Sequence, residues 1–155
     1  MITLIPMTES DFRPYLESAI VAYAQDKVNA GNWTDTEALE RSRKEFEHYL
    51  PQGLQTEANF LFMLVTETGR KVGHLWYNIT TDRPDSAFIY DFEIYEPFRR
   101  QGYATQALKA LETHAKPKGV KKLGLHVFGS NLAARELYKK AGYIETNVNM
   151  AKEID

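Results

Sequence analysis

The sequence predicts an α/β fold, a mixed α+β sheet with helices packed on it, from three observations. Its 155 residues make one domain the natural unit. Its apolar residues switch between helical and strand periodicity along the chain. No repeat, low-complexity tract or linker interrupts the sequence. The expected order is β-α-α-β-β-β-α-β-α-β, in a single domain over residues 1–155.

Thr3-Leu4-Ile5 forms a short first strand, ended by Pro6. Phe12, Tyr15, Leu16, Ala19, Ile20 and Tyr23 follow with the one-face spacing of an amphipathic helix, capped by Thr8 or Ser10. Gly31-Asn32 breaks it, and a second helix runs from a cap at Asp35 or Thr36 to about Tyr49. Its apolar face (Leu39, Phe46, Leu50) is thin, which predicts a surface position. The period then changes. Phe60–Val65 is a short apolar run that suits a buried strand, and Thr68–Lys71 forms a hairpin turn. Val72–Thr80 is the third strand, with His74, Trp76 and Asn78 on one face and Leu75, Tyr77 and Ile79 on the other. Ala87–Tyr95 is the fourth. Strict alternation puts Phe88, Tyr90, Phe92 and Ile94 opposite Ile89, Asp91, Glu93 and Tyr95. After Pro97 comes a helix carrying Ala104, Ala107, Leu108, Leu111 and Ala115 on one face. Leu123, Leu125 and Val127 alternate as a fifth strand. Ser130 or Asn131 caps a last helix ended by Gly142, and Tyr143–Met150 is the final strand.

Composition narrows the function classes. Hydrophobic residues at 43% and charged residues at 26% are globular values. A formal charge of −2 lacks the basic excess of a nucleic-acid or membrane-surface binder, so neither partner is expected. With no cysteine, thiolate metal sites and cysteine nucleophiles are excluded. The start of the chain lacks a signal-peptide pattern and no stretch has the length of a membrane span, which predicts a cytoplasmic protein. His48, His74 and His114 show no metal-ligand spacing and are expected to be structural or on the surface; no metal is expected.

The segment most informative for chemistry is Arg99-Arg100-Gln101-Gly102-Tyr103-Ala104-Thr105, between a strand and a helix. Small residues at Gly102 and Ala104 allow close approach to the backbone. The free amides of the first helical turn favour an anion, and two arginines add charge-assisted contacts. A pyrophosphate cradle fits this pattern; a basic turn before an ordinary helix fits it as well. It is neither a Walker loop nor a three-glycine dinucleotide fingerprint.

Arg99-x-x-Gly102-x-Ala104 resembles the acetyl-coenzyme A motif of the GNAT superfamily of N-acetyltransferases. Asn131–Tyr143 resembles that family's Asn-x-x-Ala-x-x-Leu-Tyr-x-x-x-Gly-Phe segment, with Tyr143 in place of Phe. The element order is also similar. The resemblance implies a GNAT-like fold with splayed fourth and fifth strands and acetyl-coenzyme A as cosubstrate. It implies that backbone groups near Phe92 and Ile94 orient the pantetheine arm and thioester. It further implies that amides from Arg100 to Thr105 hold the pyrophosphate, and that Asn131 contacts the arm. Tyr138 would be the general acid at the sulfur, although its helical spacing alone also suits a core residue. For the base, Glu93 and His126 stand equal and Asp91 third. An imidazole near its ordinary pKa suits proton abstraction, and paired carboxylates can do the same or bind a cation. Tyr23 and Trp33 are candidates for the acceptor wall, and the Lys116–Lys122 cluster for the 3′-phosphate. The expected activity is acetyl transfer to an amine acceptor, a small molecule or a peptide amine, by a monomer or homodimer. The alternative is a non-catalytic acyl-coenzyme A-binding regulatory module.

Overall fold

The computed structural model describes residues 1–155. Strand β1 (Thr3–Pro6) is followed by helices α1 (Glu9–Asn29) and α2 (Asp35–Tyr49). Strands β2 (Asn59–Val65), β3 (Lys71–Ile79) and β4 (Ser86–Ile94) form an antiparallel run. Helix α3 (Tyr103–Ala115) then crosses over to β5 (Lys122–Leu125), and α4 (Leu132–Lys140) follows. The sheet order is β1-β2-β3-β4-β5, with β4 and β5 parallel. That one parallel pair is what a helical crossover permits and a hairpin forbids. No helix is long and apolar enough to cross a membrane.

Local chemistry explains where the helices start and how they pack. Thr8 caps α1: its side chain accepts from the Asp11 N–H while the Asp11 carboxylate accepts from the Thr8 N–H. The Lys71 ammonium bonded to Asp11, with the Thr8 amide, holds that carboxyl below its ordinary range and ties α1 to β3. Helix α2 buries Ala38, Ser42 and Phe46, while Leu39 stays 47% exposed. Phe46 and Leu50 of the expected face are buried, and only Leu39 is corrected, its place in the core taken by Ala38. Two small residues let α1 and α2 approach closely, and the buried Ser42 hydroxyl donates to the Ile20 carbonyl at 2.7 Å.

Each sheet face carries its own core. Leu75, Tyr77, Ala87 and Ile89 pack with Leu108 and Leu111 of α3. Phe12, Tyr15, Phe46 and Trp76 pack on the α1–α2 side. Each large side chain so buried stabilises by about 1.5–3 kcal/mol.

Three expectations from alternation and propensity are corrected. First, β4 does not alternate strictly. Trp76 pairs with Asp91 and Tyr77 with Ile89, leaving Tyr90 as an extra, bulged residue. Ala87 and Ile89 face α3 before the bulge, and Phe92 and Ile94 after it. Phe88, Tyr90 and Asp91 all lie on the α1–α2 side, because an extra residue repeats a face rather than reversing it. Second, β5 stops at Leu125, so His126 and Val127 lie beyond it. Third, Tyr143–Met150 is not a strand. After the Tyr143 N–H donates to the Tyr138 carbonyl, residues 144–155 make no backbone hydrogen bond, and a strand exists only through such pairing.

Candidate active site

Strands β4 and β5 pair only from Ser86–Ile89 against Lys122–Leu125. Beyond Leu125 the chain leaves the sheet towards α4 while β4 continues to Ile94. The Tyr95 N–H donates to the Val72 carbonyl on β3 at 2.8 Å. Alternation along the strand then turns the peptide groups of Phe92 and Ile94 away from β3, into the opening. The Ile94 carbonyl there accepts from Arg99 Nε at 2.8 Å, so it is already engaged.

The same arginine fixes the next segment. Its guanidinium also stands 3.6 Å from Glu93 Oε2, both side chains being about half exposed. From this anchor the backbone takes left-handed conformations at Arg100 (φ 64°) and Gly102 (φ 81°). The amides of Arg100, Gln101, Gly102, Tyr103, Ala104 and Thr105 donate to no acceptor in the protein. The first bond of the turn comes only at Gln106 N–H to the Gly102 carbonyl, 3.2 Å. Unpartnered amides on a helix N-terminus, preceded by two arginines, are what a pyrophosphate demands. A Cβ on Gly102 would meet nothing nearer than Gln106 Nε2 at 4.0 Å. Space is therefore free there, and it is the left-handed backbone that requires glycine.

A cleft of about 920 Å³ runs from the β4–β5 opening up between α1 and α2. It brings together Asp91, Phe92, Glu93, His126, Asn131 and Tyr138, whereas Ile94 and residues 99–105 lie outside its lining. Tyr138 is half-buried, packed near Phe92 and Tyr143. Burial, then the neighbouring Tyr143 and the Asp91 charge, pushes its phenol up to about 12, so it holds its proton at neutral pH. Asn131 caps α4, its Oδ1 accepting from the Ala134 N–H at 3.2 Å. His126 is exposed, its ring 5.0 Å from that of Phe128. Tyr23 lines the cleft, and Trp33 stands behind it with ring centroids 5.6 Å apart. The Lys116–Lys122 cluster lies on the segment leading into β5.

Sequence reasoning missed His74. It is 7% exposed and lines the cleft, with Nε2 3.1 Å from Asp91 Oδ2 and Nδ1 3.2 Å from the Tyr95 hydroxyl. Tyr15, reaching down from α1, donates to the same Asp91 oxygen at 2.7 Å. Burial and the Asp91 carboxylate keep the Tyr15 phenol far above its ordinary range. Asp26, also on the wall, is shifted upward by burial and then by the Asp91 charge. The one available signal was register. His74 and Trp76 share a face, and pairing β3 with β4 sets them opposite Glu93 and Asp91. In all, Asp11, Asp26, Glu45, Asp91 and Glu93 face this cleft against Lys27 alone among lysines and arginines. Tyr23, Tyr49, Trp76, Tyr90 and Tyr95 supply aromatic walls. An acidic, aromatic cleft attracts a cation. No group of three or more His, Asp or Glu side chains is arranged to hold a metal ion.

Comparison with known proteins agrees with this geometry. The model of the acetyltransferase (GNAT) family matches residues 20–143. The chain is 44% identical to the uncharacterized N-acetyltransferase YycN of Bacillus subtilis, over 99% of each chain. It is 35% identical to the uncharacterized N-acetyltransferase YdgE of the same organism, over 98% of each. The crystal structure of YycN superposes with a TM-score of 0.95 at 43% identity, covering 99% of both chains.

Proposed function

The chain belongs to the acetyltransferase (GNAT) family, and from that premise we propose that it transfers the acetyl group of acetyl-coenzyme A to a primary amine held in the cleft beneath α1 and α2. The observation that carries this reading is the junction of two complementary features on β4. A run of free amides at residues 100–105 suits the pyrophosphate, and the open edge at Phe92 and Ile94 suits the amide-bearing pantetheine arm. Arg99 serves this arrangement by anchoring the loop to Ile94 and Glu93. When bound, acetyl-coenzyme A supplies an activated acyl thioester.

The protein's own groups supply the rest. A protonated amine is drawn in by the surplus of carboxylates and held against Asp91, whose Oδ2 accepts from the Tyr15 hydroxyl. An ammonium has no lone pair, so a base must remove its proton before attack. Glu93 and His126, both on the cleft, are the candidates, with Asp91 third. Tyr138 presents a protonated phenol with no partner in the protein, available to the leaving sulfur. Direct attack needs no covalent enzyme intermediate, and the chain has no cysteine to form one.

Two measurements test this. Acetyl-coenzyme A raises the melting temperature where ATP and NAD do not. A panel of mono- and polyamines, followed by release of free coenzyme A thiol, yields turnover with at least one primary amine. Stabilisation without turnover on any amine would leave a binding module instead, and no stabilisation would remove the cradle.

A further inference from the structure

Apart from tyrosines, Ser42 and His74 are the buried polar side chains of the protein. Ser42 is satisfied by the Ile20 carbonyl, but Nε2 of His74 makes no hydrogen bond. A buried polar atom without a partner costs free energy, so its retention beside a cleft asks for a reason. The surroundings of the ring supply one. Met63 of β2 and Glu93 of β4 are its strand partners, and the Tyr15 ring of α1 meets it edge-on at 4.7 Å between centres. Nδ1 lies 3.2 Å from the Tyr95 hydroxyl. Burial, and then the charges of Glu93 and Asp91, push the Tyr95 phenol up to about 12, so it keeps a proton to donate. A neutral imidazole that accepts at Nδ1 carries its hydrogen on Nε2. That nitrogen stands 3.1 Å from Asp91 Oδ2, near but out of line. Hydrogen bonds at an active site commonly tighten and align only when substrate enters. The same Oδ2 already accepts from Tyr15 at 2.7 Å, whereas Oδ1 engages no group of the protein. The Asp91 side chain is 30% exposed on the cleft, so Oδ1 is open to a ligand there.

We propose that His74 is the positioning residue of the acceptor site: its Nε2–H shares Asp91 Oδ2 with the Tyr15 hydroxyl as the amine enters, and the two donors turn Oδ1 towards the acceptor's N–H. Tyr95 fixes the tautomer that makes this possible. The clamp draws on α1 through Tyr15, on β3 through His74 and on the end of β4 through Tyr95. Asp91 is thus aimed only where the helix lies on the sheet. No proton changes place, for His74 stays neutral and its task is direction. What Asp91 holds rests on the acetyl-transfer reading, whereas the tautomer of His74 does not.

Nitrogen-resolved NMR of the imidazoles in the whole chain, in mildly alkaline solution where the ring is neutral, reads His74 with its hydrogen on Nε2. The Nδ1–H tautomer overturns the proposal, whether or not any amine is turned over. Kinetics with the best primary amine of the panel read the clamp itself. His74→Phe keeps a ring in the same space without a donor. It raises the acceptor KM at least about tenfold, with kcat within about threefold and acetyl-coenzyme A affinity within about twofold. His74→Gln returns a donor near the place of Nε2 and recovers the KM to within about threefold of the wild-type value. A wild-type KM in His74→Phe overturns the clamp. So does a loss that His74→Gln does not recover, the mark of a merely structural ring. Absence of turnover with every amine strikes the acetyl-transfer reading, and the tautomer then decides for or against His74.

Discussion

Tyr138→Phe separates a donor from a packing residue. The ring stays against Phe92 and Tyr143, and the lost hydroxyl has no partner in the protein. Folding stability therefore changes by no more than about 0.5 kcal/mol, the range of substitutions that break no internal contact. The effect on rate follows from the phenol's own acidity. At about 12 it is a weaker acid than an ordinary thiol near 8.5, so complete proton transfer to the departing thiolate runs uphill. What Tyr138 supplies through the transition state is a hydrogen bond to developing negative charge, worth about 1.5–3 kcal/mol. Converted at 1.36 kcal/mol per decade, the expected loss in kcat is about 10- to 160-fold. Affinity for acetyl-coenzyme A, measured by calorimetry, stays within about twofold, since the group acts as charge develops. The pH profile also keeps its shape. A group titrating near 12 is fully protonated through the assay range, so its removal lowers the curve without moving either limb. Wild-type turnover in Tyr138→Phe, or the disappearance of an alkaline limb below pH 10, would refute this account.

Gly102→Glu places a charged side chain on a left-handed backbone among the free amides, and weakens acetyl-coenzyme A binding at least tenfold, about 1.4 kcal/mol, by calorimetry. Glu93→Gln and His126→Asn are compared at pH 7. The variant that removes the base loses at least about tenfold in kcat/KM together with the acidic limb of its pH profile, and the other retains both. If neither limb is lost, Asp91 becomes the base. Gly73→Ala destabilises by at least about 2 kcal/mol in denaturant melts, because its Cβ would overlap the Glu93 carbonyl across the β3–β4 pair. An unchanged midpoint would show that β4 shifts freely there.

What the sequence could tell depended on how local the signal was. The antiparallel run, α3 and the glycine turn into it are written in short-range periodicity and in one residue that tolerates positive φ, and all were legible. Leu39 of α2 was misjudged because packing against α1 rewards the small Ala38 and Ser42 over this larger side chain. His74 was passed over because its importance lies in pairing with a strand some twenty residues away, which no local window contains. The tail has the composition of a strand but not the neighbour, and propensity cannot supply a neighbour. Asp91 and Glu93 were expected on one face and do share it, while Phe88 and Tyr90 join them there for a reason invisible to alternation.

That reason is the bulge at Tyr90, and it makes chain length itself an instruction. Upstream of it β4 keeps register with β5, and downstream the strand turns its acids to the cleft and parts from β5. Shortening the strand by that residue would leave Asp91 opposite Trp76 on the cleft face, but would remove Tyr90 from the aromatic wall and the local bend and twist that a bulge gives the strand where it parts from β5. The spacing from Ile89 to Ile94 therefore carries the bulge, and homologues are sorted by that spacing as well as by the residues that fill it.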